Sequence, residues 1–377
     1  MSPDVSSGSV WDDHSWTPLP SLEGDLKADI CVVGLGGSGL AAVHELLRLG
    51  VSVVGVDAGP VAGGAAGRNG GFLLAGLAKF YHQTVQKFGR ERAKDIYQAT
   101  LNQIDRMTEE TPLAIRRVGS LRVADTQEES QDCLKHAEAL HADGFAVEPY
   151  EGPEGRGILI PTDAAFNPLL RCRILAERAT LAGARLFEHS PAVHISGNEV
   201  RTPKGSVCCK KVIVAVDGKL ELLLTELSGK VRTARLQMLA TAPTTETGFP
   251  RPVYARYGYE YWQQLPDGRI AVGGFRDLGG EAEWTFSDQP TPLIQAALEK
   301  LLRERLGVQA PITHRWAASV GYTQTGLPII EEARPNVWAI GGYSGTGNVV
   351  GGLCGQAVAQ IVTAGSPGFA GLISIKS

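Results

Sequence analysis

The stretch ICVVGLGGSGLAAVHELLRLGVSVVGVD, residues 30–57, decides how this chain folds. An apolar run, Ile30-Cys31-Val32-Val33, meets the hexapeptide GLGGSG. Residues 40–49 then carry apolar side chains at helical spacing, and a second β-branched run, residues 51–56, stops at Asp57. Strand, glycine turn, helix, strand is a βαβ unit. In the G-x-G-x-x-G pattern Gly34 permits the tight turn, Gly36 lets a pyrophosphate approach, and Gly39 lets helix pack on strand. The helix start at Gly37 and Ser38 offers unpaired N–H groups and a positive dipole end to phosphates. A purely structural glycine turn is the competing reading. The flanking strand and helix favour dinucleotide binding, as does an acid able to accept ribose hydroxyls at the end of the second strand.

Asp57, followed by Ala58, disfavours a 2′-phosphate because like charges would meet, which leaves NAD or FAD. An NAD enzyme ordinarily continues with further βαβ repeats. Here the second strand is followed at once by GGAAGRNGGF, residues 63–72, with five glycines in ten positions. Glycine at that density sacrifices chain entropy and packing. The expectation is a backbone loop running from pyrophosphate towards a ring system, in which Gly64, Gly70 and Gly71 clear a path and supply N–H groups while Arg68 and Asn69 give polar contact. FAD is then favoured over nicotinamide.

Composition sets outer bounds. With 377 residues, 43% hydrophobic and 20% charged, the chain reads as an ordinary globular protein long enough for two domains. A net charge of −4 argues against a nucleic-acid partner. The six cysteines form no CxxC and no ligand-like spacing with the eight histidines, so no metal is expected and the thiols read as reduced and buried. The polar, acidic N-terminus does not read as a signal peptide, and residues 337–362 are too broken by glycine for a membrane span. The cytoplasm is the default compartment.

Along the chain, residues 1–27 read as an extended arm and 79–110 as helix. A short strand is expected in VGSLRVAD, then a helix over 128–141, a helix over 168–181 stopped by Gly183, and a strand in KKVIVAVDG. Residues 236–286 change character: aromatic and small residues alternate around a PDG turn, which predicts antiparallel sheet. Residues 291–306 read as an amphipathic helix. The end of the chain, residues 337–362, is again strand, glycine turn and helix.

Three patches resemble a known family, the FAD-dependent amine and amino-acid oxidoreductases of the D-amino-acid oxidase superfamily, nearest its gamma-glutamylputrescine oxidase and glycine/sarcosine oxidase branches. They are the arm with the βαβ unit, the loop GAAGRNGG, and VGYTQTGLPIIEEARPNVWAIGGYSGTGNVVGG. The resemblance implies an α/β fold, α+β overall. A discontinuous Rossmann-like FAD-binding domain (1–80, 155–232 and 318–377) would carry an inserted antiparallel-sheet substrate domain (81–154 and 233–317). It also implies that Val193 offers backbone to the adenine and that Ala215, Asp217 and Gly218 pass near the pyrophosphate. Gly342, Tyr343, Ser344, Gly345, Thr346, Gly347 and Asn348 would present N–H groups to the pyrimidine side of the isoalloxazine.

Departures from the family pattern limit the reading. Asp57 stands where a Glu is usual and Thr346 where a His is common. The Cys that anchors flavin covalently in the sarcosine-oxidase branch has no counterpart beside Val320-Gly321-Tyr322, so FAD is expected to be non-covalent. Lysines that serve substrate carboxylate and oxygen in that branch match Val349 and Ala271. In this family hydride passes from the carbon beside a neutral amine to flavin N5, giving an imine that hydrolyses. The implied partners are a small amine or amino-acid substrate and O2 or another electron acceptor. A flavin-binding non-catalytic subunit, or a dehydrogenase subunit of a larger complex, is the alternative.

Candidates for the substrate face lie in the inserted sheet. Period-two alternation puts Tyr257, Tyr259 and Tyr261 on one face, an aromatic wall suited to an amine, or ordinary sheet packing. Arg276 and Arg315 suit either an anionic group or a surface ion pair, and Tyr322, in the third of the resembling patches, is a further candidate.

Overall fold

The computed structural model describes residues 5–374; the first four residues of the predicted arm and the last three of the chain lie outside the described part. The chain groups into two compact units. One comprises residues 13–67, 168–234 and 320–374, the other residues 5–12, 68–167 and 235–319.

The first unit is built on a six-stranded sheet. Its order is Arg185–Phe187, Val53–Val56, Ile30–Val33, Lys211–Val214, Val337–Gly341, Ile329–Arg334, with only the last strand antiparallel. Ile30–Val33 and Val53–Val56 are buried at every position, as expected for β-branched strands covered on both faces. The helix Gly37–Arg48 links these two neighbours, whereas Lys211–Val214, on the other side of Ile30–Val33, arrives much later in the chain. That reversal of direction is a topological switch point, and ligands of open α/β sheets bind outside the strand ends there. The helix Val350–Ala364 packs on Gly37–Arg48 so closely that a Cβ on Gly355 would lie 2.2 Å from the Ser38 carbonyl oxygen. Helix Pro168–Leu181 begins and ends where the sequence predicts, and Gly183 follows with φ +99°. A small second sheet joins Gly24–Lys27, Gly205–Cys208, Glu199–Thr202 and His194–Ile195.

The other unit carries an eight-stranded sheet in the order Ile312–Tyr322, Arg232–Thr241, Ile270–Gly274, Glu260–Gln264, Val253–Ala255, Ser120–Val123, Gly155–Ile160, Glu148–Gly152. On one face Leu121, Leu239, Val253, Trp262, Ile270 and Val272 form a core with Ile294, Leu298 and Leu302. Cross-strand register sets the opposite face: Arg122 lies beside Tyr254, Tyr254 beside Tyr261, and Tyr261 beside Gly273.

Several expectations change. The predicted helix over 79–110 is two helices, Tyr81–Phe88 and Arg90–Glu110, because Gly89 at φ +79° breaks the backbone. The helix over 291–306 is α-helical at Pro292–Lys300 and continues as a π turn, Leu301–Arg305. The arm is docked: Val10 and Trp11 are buried, and the Trp11 indole N–H donates to the Asn69 carbonyl at 2.8 Å. Residues 68–80 and 155–167 group with the antiparallel unit, since strand Phe72–Leu73 pairs with Ala164–Phe166.

Asp163 is fully buried in this unit and accepts hydrogen bonds from the Ser120 hydroxyl (2.6 Å) and the Ala75 N–H (2.9 Å). Burial outweighs both bonds and pushes its carboxyl up to about 6. The folded chain therefore holds this proton when the unfolded chain, near the ordinary value of 3.8, has released it. Its contribution to stability is full below pH 3.8 and is lost as pH rises to about 6, a fall of roughly 3 kcal/mol. Denaturant unfolding between pH 4 and about 7 should show Asp163→Asn lacking that downward slope relative to the parent protein.

Candidate cofactor and active site

The first glycine turn combines close packing with open space. Gly34 has φ +103°, and a Cβ there would sit 2.6 Å from the Ala215 carbonyl oxygen. On Gly39 a Cβ would lie 1.9 Å from the Gly34 oxygen, an impossible contact that fixes glycine at that position. Gly37, by contrast, faces nothing within 4 Å. Helix Gly37–Arg48 starts at this opening with no side-chain cap and no acid in its first turn. Its first N–H groups and positive dipole end therefore suit a pyrophosphate. A Cβ on Gly36 would approach the Ala66 Cβ at 3.2 Å, so the turn Ala65–Gly67 lies against the first glycine turn, and Gly64 beside it is open.

Asp57 ties this region together. Its Oδ2 accepts the Leu35 N–H at 2.7 Å and its Oδ1 the Gly59 N–H at 2.9 Å. Each carboxylate oxygen has a second lone pair for a ribose hydroxyl. Burial raises its pKa in spite of these bonds. Ala58 beside it is exposed. Glu188, which sequence reasoning missed, is fully buried and accepts from the Trp16 indole (3.0 Å), the Leu19 N–H (2.7 Å) and the Val61 N–H. It thereby anchors the start of the second glycine loop. Its one signal is an acid directly after the apolar strand Arg185–Phe187.

The C-terminal glycine loop is organised by Asp217, whose backbone takes φ +49°. Its carboxylate accepts N–H groups from Gly321 (2.9 Å), Gly342 (2.9 Å) and Tyr343 (3.3 Å). Burial pushes this acid up as well. Two of the N–H groups expected to meet an isoalloxazine thus serve Asp217, which positions the loop. Ser344 N–H bonds the Gly321 carbonyl at 2.8 Å, and Thr346 N–H returns to Tyr343 at 3.0 Å. Among the described residues Gly345 and Gly347 give their N–H groups to no protein acceptor, and Gly345 borders open space. Asn348 closes the loop ahead of helix Val350–Ala364. Tyr343 is buried, bridged to Tyr322, with its ring beside Gly351. Gly218 packs so tightly that a Cβ would lie 2.9 Å from the Gly321 nitrogen. Val193 spends its N–H on the Arg201 carbonyl (2.8 Å), which leaves only its carbonyl for the expected adenine contact.

The second half of the glycine-rich loop, in the antiparallel unit, departs further from expectation. Its carbonyls, more than its N–H groups, are held: Arg68 by the Trp316 indole, Asn69 by that of Trp11, and Gly71 by the Gln263 amide at 3.0 Å. Gly70 and Gly71 are demanded by the protein's own packing. A Cβ on Gly70 would meet the Tyr261 ring at 3.1 Å, and one on Gly71 the Phe166 oxygen at 2.5 Å. The Gly71 N–H itself goes to the Asn69 side chain at 2.9 Å. Arg68 reaches Asp288 (3.6 Å) and the Ser7 carbonyl (3.4 Å), while its buried Nε has no hydrogen-bond partner.

The three tyrosines do not share a face. Arg256 and Tyr257 both adopt positive φ in a tight turn, and strand Glu260–Gln264 begins only after it. Tyr257 is 49% exposed and bonded to Asp132; Tyr259 lies under the Arg276 guanidinium; Tyr261 is buried against Phe72. The aromatic row is instead Tyr254 and Tyr261, ring centroids 5.8 Å apart. Arg276 stacks on Trp284 at 4.9 Å and Arg315 pairs with Glu299 at 2.6 Å, so both are engaged within the sheet unit. Among the described residues no His, Cys, Asp or Glu cluster is placed to hold a metal, and no helix is long and apolar enough to cross a membrane.

Known proteins make the class explicit. The family model for FAD dependent oxidoreductases, DAO, matches residues 29–361, and the chain belongs to that family. A Rhizobium meliloti protein described as a probable oxidoreductase, OrdL, is 28% identical over 91% of this chain and 85% of its own length. The Escherichia coli gamma-glutamylputrescine oxidoreductase is 25% identical over 93% and 87%. In fold the chain is similar to glycine oxidase from Geobacillus kaustophilus, with TM-score 0.74 and 19% identity over 89% of this chain and 95% of that one. It is likewise similar to L-proline dehydrogenase from P. horikoshii, with TM-score 0.73 and 19% identity over 93% and 95%. The residues present fit FAD: an uncapped helix start over open space at Gly37, a carboxylate at the second strand end, and unengaged N–H groups at Gly345 and Gly347.

Two substitutions separate packing from binding. Gly39→Ala drives a Cβ into backbone and should destabilise the fold by about 3 kcal/mol or more. Gly37→Ala meets no protein atom, so it should leave the apoprotein melting temperature nearly unchanged while weakening FAD at least about tenfold, because the added methyl group fills the open space through which the pyrophosphate would approach. Melting curves and flavin titration of the two apoproteins check both outcomes.

Proposed function

We propose that this chain oxidises a C–N bond of a small amine or N-substituted amino acid, with non-covalently held FAD and O2 or another electron acceptor. The observation that carries the reading is the stacked pair Tyr254 and Tyr261, of which the Tyr261 ring stands on Gly70 of the second glycine loop. Relatives and structural neighbours named for gamma-glutamylputrescine, glycine and L-proline support the same substrate chemistry.

FAD, when bound, supplies a two-electron acceptor that takes hydride at N5. The chain's own work is holding, orienting and excluding water. The helix start at Gly37 and the carboxylate of Asp57 would hold the pyrophosphate and ribose. Asp217, by collecting three N–H groups, holds the C-terminal loop so that the N–H groups of Gly345 and Gly347 stay available. Within the antiparallel unit, the stacked rings of Tyr254 and Tyr261 supply aromatic surface of the kind that suits a neutral amine. The substrate loses hydride from carbon and a proton from nitrogen, and the imine product is hydrolysed by water.

Purified yellow protein, mixed anaerobically with a panel of amines and N-substituted amino acids, should lose its visible flavin band with at least one of them. If none bleaches it while dithionite does, the chain is a passive flavin binder and the reading fails. Denaturation should release free FAD, and flavin that stays with the polypeptide would disprove non-covalent binding. Timing reoxidation in air then separates oxidase from dehydrogenase.

A further inference from the structure

The N-terminal arm reaches the first glycine turn through a chain of hydrogen bonds that the proposed oxidation does not use. All of its members lie in the nucleotide-binding unit. On the arm side, the Glu188 carboxylate accepts the Trp16 indole N–H (3.0 Å) and the Leu19 N–H (2.7 Å), and the Ser190 hydroxyl accepts the Leu22 N–H (2.8 Å). On the cofactor side, the same carboxylate accepts the Val61 N–H, and the Ser190 N–H donates to the Asp57 carbonyl at 2.7 Å. The next residue, Ala62, donates its N–H to the Leu35 carbonyl at 3.1 Å, inside GLGGSG itself.

Glu188 and Ser190 are thus shared between the arm and the edge of the cofactor opening. Glu188 is fully buried and Ser190 is 2% exposed, so water does not replace a lost partner while the surroundings stay packed. A buried carboxylate stripped of two of its three N–H donors is left with an uncompensated desolvation cost. It recovers that cost only by turning towards water, and turning releases Val61. Leu22, 1% exposed, packs with Val33, Val54 and Val56 of the central sheet, which fixes the docked position of the arm. Docked and undocked arms therefore leave the start of the second glycine loop in different states. A ligand that binds one of these states better must shift the arm as well.

We propose that arm docking and FAD binding are coupled through Glu188 and Ser190, so that the arm is a clasp that sets how tightly the cofactor is kept. Trp16 and Leu22 are its positioning residues. The inference rests on FAD binding by this family and not on the oxidation proposed above.

The test is an FAD titration of the full-length apoprotein well below its melting temperature, where fold stability does not enter. Trp16→Phe keeps a ring under the Arg173 guanidinium (5.6 Å) and removes the indole N–H that Glu188 accepts. It should weaken FAD at least about fivefold, the lower end of ordinary coupling between sites. Ser190→Ala removes the acceptor of the Leu22 N–H, leaves the Glu188 carboxylate in place, and should also weaken FAD. Ile294→Ala opens a cavity in the core of the other unit, and should lower the melting temperature with FAD affinity unchanged. Reciprocally, FAD should slow hydrogen exchange at the Leu19 and Leu22 N–H groups of the parent protein at least about fivefold. Parental FAD affinity in both arm variants, an equal loss of affinity in Ile294→Ala, or arm exchange that FAD leaves unchanged would each overturn the coupling.

Discussion

The contact between Gly39 and the carbonyl of Gly34 is the constraint on which the nucleotide-binding unit rests. It brings the first turn of helix Gly37–Arg48 onto the end of strand Ile30–Val33 at a distance no side chain would permit. The same helix then receives Val350–Ala364 through Gly355, again at bare-backbone distance. Two helices and a strand end converge there with glycine at each closest point. Loss of one such glycine would displace a helix, because a packed interior has little free volume to absorb a methyl group.

Around that point, acids act as internal staples. Asp57 fastens the second strand end to the first glycine turn, Glu188 fastens the start of the next loop, and Asp217 fastens the C-terminal glycine loop. Burial opposes ionisation of Asp57 and Asp217, yet each accepts backbone N–H groups that would otherwise be stranded. Loops rich in glycine have no side chains to hold them. A carboxylate that gathers several N–H groups supplies the missing order while leaving other N–H groups unspent. In the antiparallel unit indole and amide donors do the complementary task, holding the carbonyls of residues 68–71.

Much of this was legible before any coordinates. The βαβ unit, the helix Pro168–Leu181, the hairpin at Pro266-Asp267-Gly268 and the return to strand and helix near the C-terminus follow from periodicity and glycine placement. The tyrosine face was misjudged because alternation assumes an unbroken strand, and Tyr257 at φ +54° breaks it. Gly258, at φ +87°, is the one local mark of a turn inside YGYEYW, and a lone glycine also fits a strand. The donors that hold the glycine-rich loop, Trp11, Gln263 and Trp316, were invisible as a group, since they come from distant segments and meet the loop only through packing. Glu188 was overlooked for the same reason: its partners lie more than a hundred residues away in the chain.

By itself the sequence determined the class of this protein. Glycine spacing after a buried strand is a local property, and local backbone geometry admits few alternatives once a tight turn must feed a helix. Tertiary structure decided which glycines leave room and which are filled by neighbours: Gly37 faces open space, whereas Gly70 and Gly71 are spent on Tyr261 and Phe166. It also decided which N–H groups remain available and which tyrosines form the aromatic row. Those outcomes depend on distances between residues far apart in the chain, and spacing along a sequence carries no record of them.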